Sequence, residues 1–252
     1  MLTETQIEQY QRDGYVIPDF ALDAAIVREV ANLHAHLLDK HPEFADYCPA
    51  VLGYELGFLN FARDERILEM VSQLIGRDFA LWNCSFFAKP AGVGRRVPWH
   101  QDGEYWPIRP LATCSVWLAI DPSTTANGCL QVIPGSHKQA ALLDHEHNDS
   151  QDLALPLELK PDQFDASAAV PIELKPGQIS LHDVFLAHGS DANLSEGSRR
   201  GMTMRFMPTS SVYDRSIPHH RNTSSRLHMS QRTLFLMRGQ DLSGRNDFSM
   251  HY

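Results

Sequence analysis

A chain of 252 residues with 43% hydrophobic and 21% charged side chains has the make-up of an ordinary globular domain. Its net charge of −9 excludes the clustered Lys and Arg surface that nucleic acid requires, and no run approaches the ~18 apolar residues of a membrane span. The opening Met1-Leu2-Thr3-Glu4-Thr5-Gln6 lacks the basic-then-apolar order of a signal peptide. The four cysteines, Cys48, Cys84, Cys114 and Cys129, have no paired short spacing, so reduced thiols in a cytoplasmic protein are expected.

Residues 3–13 read as a short helix capped by Thr3 or Thr5 and ended by Gly14. The apolar stretch 15–20 predicts a short strand. Residues 22–40 carry Ala25, Val27, Val30, Leu33, Leu37 and Leu38 in one amphipathic stripe, so they predict a helix. An irregular stretch, 41–60, follows. A further helix over about 64–75 stops at Gly76, a residue that suits the position after a helix.

From Phe79 the period changes to two. The strand 82–90 puts Asn83, Ser85, Phe87 and Lys89 on one face, which either meets solvent or lines a polar cavity. Gly92 and Gly94 then mark a loop before Pro98-Trp99-His100-Gln101-Asp102. In a strand, His100 and Asp102 face the same side with Cα atoms ~6–7 Å apart. They would cover two positions of a 2-His-1-carboxylate facial triad, the ligand set of non-haem Fe(II) oxygenases. The bland account is a pair of polar residues at a strand end. A third ligand must come from far along the chain, and His188 is available.

The strand 113–120 places Thr113, Ser115 and Trp117 together, and Asn127-Gly128 signals a hairpin returning through 129–133. Residues 138–166 are polar and acidic, and their His145-x-His147 is expected to be a solvated loop. Residues 168–174 alternate, 178–188 reads as one strand, and 201–207 as another. In one continuous strand, six residues at ~3.3 Å each hold His182 ~20 Å from His188, which predicts a structural role for His182. The tail 209–252 shows no strong period, and its first part is basic and histidine-rich. Helices followed by seven or eight short strands predict a mainly β, two-sheet sandwich or jelly roll. The division expected is one domain over 1–252: a mostly helical part to 78, a core over 79–208, and an extension over 209–252.

Three ordered motifs carry a resemblance. They are His100-x-Asp102, then Asn127-Gly128-x-Leu130-x-x-Ile133-Pro134-Gly135-Ser136-His137, then His188-Gly189-Ser190-x-x-Asn193-x-x-x-Gly197-x-Arg199. Together with the opening through Gly14-Tyr15-Val16, they resemble the phytanoyl-CoA dioxygenase family of Fe(II)- and 2-oxoglutarate-dependent oxygenases. The resemblance runs from about Leu2 to Met207 and implies a double-stranded β-helix with flanking N-terminal helices. It implies that His100, Asp102 and His188 hold Fe(II), and that Arg199, eleven residues after His188, binds the distal carboxylate of 2-oxoglutarate. A planar guanidinium suits that task; Arg200 ranks second because it faces the other side of the strand. By the same resemblance Ser190, Lys89, Asn83 and Trp117 assist the cosubstrate, although Trp117 reads equally well as core.

The implied reaction couples O2 and the decarboxylation of 2-oxoglutarate to hydroxylation of a C–H bond. A carboxylate at 102 favours hydroxylation over halogenation, since halogenating relatives carry Ala or Gly there. The rival readings are a non-catalytic metabolite-binding jelly roll, a Mn or Zn cupin, and a hydroxylase of an acyl-CoA or lipid. Arg199 and Ser190, in register with His188, speak against the first two. The chain resembles the bacterial small-molecule branch, including 2-aminoethylphosphonate-type dioxygenases, more than the acyl-CoA branch. The expected substrate is therefore a small polar metabolite, an organophosphonate or amino-acid-like compound, held by Tyr105, Trp106, Arg109, Arg215 and Arg221. His219 and His220 lie in the same basic tail segment.

Overall fold

The computed structural model of the chain describes residues 1–217 and 229–251. His219, His220 and Arg221 lie outside the described residues. The helices are α1 (Glu4–Asp13), α2 (Ala24–Lys40), α3 (Leu59–Ala62) and α4 (Glu65–Ile75). The strands are β1 (Tyr15–Val16), β2 (Tyr47–Cys48), β3 (Phe79–Lys89), β4 (Val97–His100) and β5 (Ile108–Arg109). Next come β6 (Cys114–Ala119), β7 (Leu130–Val132), β8 (His145–His147), β9 (Leu157–Leu159) and β10 (Val170–Ile172). The last are β11 (Ile179–Asp183), β12 (His188–Ser190), β13 (Arg199–Pro208), β14 (Val212–Tyr213) and β15 (Phe235–Arg238).

Local chemistry sets the helix ends. Thr3 and Gln6 form a reciprocal capping box at α1, and Gly14 closes it at φ 83°. Asp64 caps α4 by accepting from the Arg66 N–H. The buried stripes of α2 (Val27, Val30, Leu37) and α4 (Ile67, Met70, Val71) pack on one face of a large antiparallel sheet. That sheet runs β1-β11-β6-β13-β3-β15, with β2 also pairing β3. Its helix-facing side chains, including Phe86, Leu118, Leu181, Met204 and Phe206, form the main hydrophobic core.

The opposite face of the same strands is polar. Register lines up His182, Ser115, Arg205 and Asn83 across four strands, and Ser180, Trp117, Thr203 and Ser85 in the next row. A second sheet, β10-β7-β12-β4, lies over this face. Val132, Ile172, Leu174 and Leu186 pack with Trp117 and Ala119 at one end of the space between the sheets. The other end is left to the polar rows. This is a double-stranded β-helix, or jelly roll.

Several expectations change. The stretch 178–188 is two strands in two different sheets, β11 and β12, joined by a turn at 183–186. The Asp183 carboxylate and carbonyl close that turn, accepting from the Phe185 and Leu186 N–H groups. Asn127-Gly128 is not a hairpin, because β6 and β7 belong to different sheets. Gly128, at φ 74°, instead caps a short 3₁₀ turn that carries the chain across. His145–His147 pairs with Leu157–Leu159 rather than lying in a loop. In the tail, β15 adds a strand to the main sheet beside β3. All four cysteines are buried and unpaired. Among the described residues no helix is long and apolar enough to cross a membrane.

Gly201 makes the polar face possible. A Cβ there would sit 2.0 Å from the Trp117 indole. Gly201→Ala is therefore expected to displace Trp117 and destabilise the fold by about 1–3 kcal/mol, as overpacking does. A urea midpoint unchanged from wild type would show that the indole has room to move.

Candidate active site

β4 ends at His100, and Gln101 continues in an extended conformation before a 3₁₀ turn opens at Asp102. One extended residue is enough to keep His100 and Asp102 on the same side. The intervening Gln101 is fully buried and acts as a pin. Its amide donates to the carbonyls of Ala141 and Phe185, and its oxygen accepts from the Leu143 N–H. Its backbone N–H donates to His145 Nε2 at 3.1 Å. His145 is thus a support of the His-x-Asp segment, a role its position among surface acids did not suggest.

β12 pairs with β4 so that His188 lies directly across from His100. The two rings are 4.2 Å apart. Each Nδ1 meets the carbonyl two residues earlier, Pro98 at 2.8 Å and Leu186 at 2.9 Å. A carbonyl can only accept, so Nδ1 carries the proton and Nε2 is left with a free lone pair. Burial, then the neighbouring His100, holds the His188 imidazole well below its usual pKa, which keeps that lone pair available. Donor atoms of His100, Asp102 and His188 all lie within 4.8 Å of one another, and all three residues are buried. Two imidazoles and a carboxylate make a donor set suited to a divalent metal ion.

Asp102 is held from several sides. Ser115 Oγ donates to Oδ2 at 3.3 Å, and His182 Nε2 lies 3.6 Å from the same oxygen. Oδ1 faces His100 Nε2 at 3.8 Å and Arg205 Nη2 at 3.9 Å. Burial raises the carboxyl pKa, but Arg205 and the His100 and His182 contacts reverse this and leave it well below the ordinary value. His182 and Arg205 are site residues that the sequence did not reveal. The expected 20 Å between His182 and His188 is a ring separation of 5.1 Å, because the 183–186 turn folds the chain from one sheet to the other. Parity with Arg199 along β13 was the available signal for Arg205.

His100, Asp102 and His188 wall a cavity with Ser190, Trp117 and Arg199. His182, Thr203, Arg205 and Phe87 also line it. Arg199 is buried, donates to the Phe87 and Gly128 carbonyls, and has its Nε without an acceptor. Its guanidinium lies 5.4 Å from the Trp117 ring centroid. Arg200 turns to the other side, where it makes a two-pronged pair with Asp121. The other expected residues are not brought to this wall. Lys89 spends its ammonium on the carbonyls of Arg95, Ser190 and Asp191, and burial followed by the Arg199 charge pushes its pKa down to about 6. Asn83 donates to the Pro49 carbonyl, Arg109 folds back on the Trp106 and Ile108 carbonyls, and Arg215 donates to the Ser230 carbonyl. Tyr105 and Trp106 stand beside the cavity: Tyr105 meets His100 edge-on at 5.9 Å, and Trp106 lies 5.0 Å beneath the Arg205 guanidinium.

The family profile described as phytanoyl-CoA dioxygenase (PhyH) matches residues 10–201, most of the chain, and so includes all three candidate ligands. The chain belongs to this family. A probable phytanoyl-CoA dioxygenase of Caenorhabditis elegans is 32% identical over 149 residues, 56% of this chain and 47% of that protein. A probable alpha-ketoglutarate-dependent hypophosphite dioxygenase of Stutzerimonas stutzeri is 27% identical over 149 residues, 58% of this chain and 51% of that protein. An ectoine dioxygenase of Bordetella parapertussis is 27% identical over 238 residues, 81% of this chain and 75% of that protein. The chain spans about half the length of several curated relatives it matches. Among solved structures, a non-heme monooxygenase, ThoJ, superposes with a TM-score of 0.75 at 24% identity, over 95% of this chain and 86% of that one. That similarity is one of fold, and it agrees with the jelly roll of this phytanoyl-CoA dioxygenase family member.

Gln101 gives the site a test of its own. Gln101→Leu keeps the volume but strands two carbonyls and an N–H in the interior. Unsatisfied buried groups of this kind destabilise by about 1–3 kcal/mol each before relaxation. The variant is expected to lose about 2–4 kcal/mol in urea unfolding, and a loss below the error of the measurement would remove Gln101 as the pin.

Proposed function

We propose that the protein is an Fe(II)- and 2-oxoglutarate-dependent dioxygenase that hydroxylates a C–H bond of a small polar metabolite. The observation that carries this is the sharing of one buried cavity by the His100–Asp102–His188 donor set and the Arg199 guanidinium. Family membership supports it. So do relatives whose names state small substrates, hypophosphite and ectoine.

In this proposal His100 Nε2, His188 Nε2 and Asp102 hold the iron, and three protein donors leave positions for cosubstrate and O2. The bound iron supplies oxidative chemistry that side chains lack, decarboxylating 2-oxoglutarate and inserting oxygen into an unreactive C–H bond. The chain's own residues do the rest. The Pro98 and Leu186 carbonyls fix both imidazole tautomers. Ser115 and His182 approach one oxygen of Asp102, which leaves the other, on the His100 side, for the metal. Arg199 would receive the distal carboxylate of 2-oxoglutarate in the cavity that Trp117 and Ser190 also line. The orphaned Arg199 Nε fits an acceptor that arrives with the ligand. Tyr105 and Trp106 stand on the substrate side. Four unpaired buried thiols accord with action in the cytoplasm.

His188→Ala removes one of three ligands. It is expected to abolish high-affinity Fe(II) binding in calorimetric titration and succinate release from 2-oxoglutarate. Wild-type turnover in that variant would sink the metal assignment. Arg199→Ala loses a charged hydrogen bond to a buried carboxylate, about 2–5 kcal/mol or roughly 30-fold to several-thousand-fold in 2-oxoglutarate affinity. Arg200→Ala breaks only the half-buried pair with Asp121, so its 2-oxoglutarate titration is expected to match wild type. The opposite ranking of the two variants would transfer the role to Arg200.

A further inference from the structure

Among the described residues, the buried Asp, Glu, Lys and Arg side chains comprise one acid, Asp102, and four bases, Lys89, Arg199, Arg205 and Arg232. The interior is therefore positive, although the chain as a whole carries a net charge of −9. Asp102, Arg199 and Arg205 line the cavity of the candidate metal centre. In the proposed function Asp102 is a ligand and Arg199 takes the cosubstrate carboxylate. Arg205 has no task there.

Arg205 is fixed in place. Strand β13 sets it opposite Asn83 on β3 and Ser115 on β6. Its Nη1 donates to Ser85 Oγ, which shares a hydrogen bond with Thr203. Its guanidinium lies 5.0 Å from the Trp106 ring centroid and 5.9 Å from that of Phe87. Its Nη2 faces Asp102 Oδ1 at 3.9 Å, while Ser115 and His182 approach Oδ2. The positive charge therefore stands beside the oxygen left for the metal. A separation of 3.9 Å is too long for a hydrogen bond, so Arg205 acts on that oxygen as a charge. Among the described residues no other carboxylate comes within ion-pair distance of it.

Fe(II) and Fe(III) on the same donors differ by one unit of charge. Packing and hydrogen bonds around them are nearly common to both, whereas a fixed positive charge disfavours the ion that carries more charge. Burial preserves that effect, because salt screens exposed charges and leaves buried ones almost unscreened. At an effective dielectric of about 20, a unit charge within ~10 Å shifts such a balance by at least about tenfold. Arg205 meets the distance condition through its 3.9 Å approach to a ligand atom. A guanidinium also stays charged at every working pH. We infer that Arg205, anchored by Ser85 and Trp106 beside Asp102 Oδ1, biases the bound iron toward Fe(II), the oxidation state from which the proposed reaction starts. Arg205 gives up no electron and no proton. An external reductant supplies the one electron that converts Fe(III) to Fe(II), and the guanidinium shifts where that equilibrium lies. The inference rests on the iron reading of the cavity.

The test is a mediated redox titration of the iron-loaded protein with dithionite under argon, at constant pH and ionic strength, with Fe(III) read from its high-spin EPR signal. Arg205→Met is expected to move the equilibrium toward Fe(III) by at least about tenfold, which for one electron is a potential about 59 mV lower. A smaller shift overturns the inference. Arg205→Lys keeps the charge but not the planar fit on Trp106, and it should recover at least half of that shift. Less recovery would show that packing, not charge, sets the potential, and would overturn the inference. Ser85→Asp leaves the guanidinium in place and sets a carboxylate against it, so its potential should also fall; an unchanged or raised value overturns the inference. Where Arg205→Met does not fold, Ser85→Asp takes its place in the comparison with Arg205→Lys. Fe(II) uptake by the wild type is measured first by calorimetry. No uptake overturns the proposed function and this inference with it, whereas uptake with potentials that ignore the charge at Arg205 overturns this inference alone.

Discussion

Everything in the candidate site hangs on the pairing of two short strands, His188–Ser190 with Val97–His100. That register sets His188 opposite His100 and brings residues from distant parts of the chain to one point. It depends on close backbone approach at Gly189, where a Cβ would lie 3.2 Å from the Trp99 nitrogen and the Val97 carbonyl oxygen. It depends equally on the turn closed by Asp183, which transfers the chain from the large sheet to the small one. Without that transfer His182 and His188 would be separated along one strand and could not both approach Asp102.

The two faces of the large sheet divide the work. One face is apolar, packs against α2 and α4, and supplies the main core. The other carries Ser, Thr, His, Arg and Trp in register and faces the small sheet. Such a polar interior is stable only where its groups satisfy one another or await a ligand. Ser85 and Thr203 share a hydrogen bond, and Arg205 donates to Ser85. The orphaned Nε atoms of Arg199, Arg205 and Arg232 and the Nδ1 of His182 mark where partners are missing. Those of Arg199, Arg205 and His182 belong to residues that line the cavity of the candidate metal centre, which is where ligands are expected to arrive.

The electrostatics follow the same division. Asp102 is the one fully buried acid among the described residues, and histidines and an arginine surround it. It stays ionised because Arg205 and its histidine neighbours outweigh the effect of burial. Surface acids leave the chain negative overall without altering the positive interior, because exposed charges are screened over about 10 Å in salt while buried ones are not.

The sequence by itself determined the strand alternation, the helices at 4–13, 24–40 and 65–75 within a residue or two, and the spacing motifs that point to His100, Asp102, His188 and Arg199. These are local or nearly local properties: a period of two or 3.6, a capping residue, a glycine at positive φ. It also placed Ser85, Phe87, Ser115 and Trp117 on shared faces, but not whether those faces met solvent or a cavity. Only the tertiary structure decided that. The roles of His145 and Gln101 depend on contacts across 40 residues and more, and His182 reaches Asp102 through a sheet crossing that an apolar, β-rich run such as 178–188 does not announce. Arg205 reads as an ordinary cation in the sequence. Its place beside Asp102 in the cavity follows from burial and strand register, which are properties of the packed chain alone.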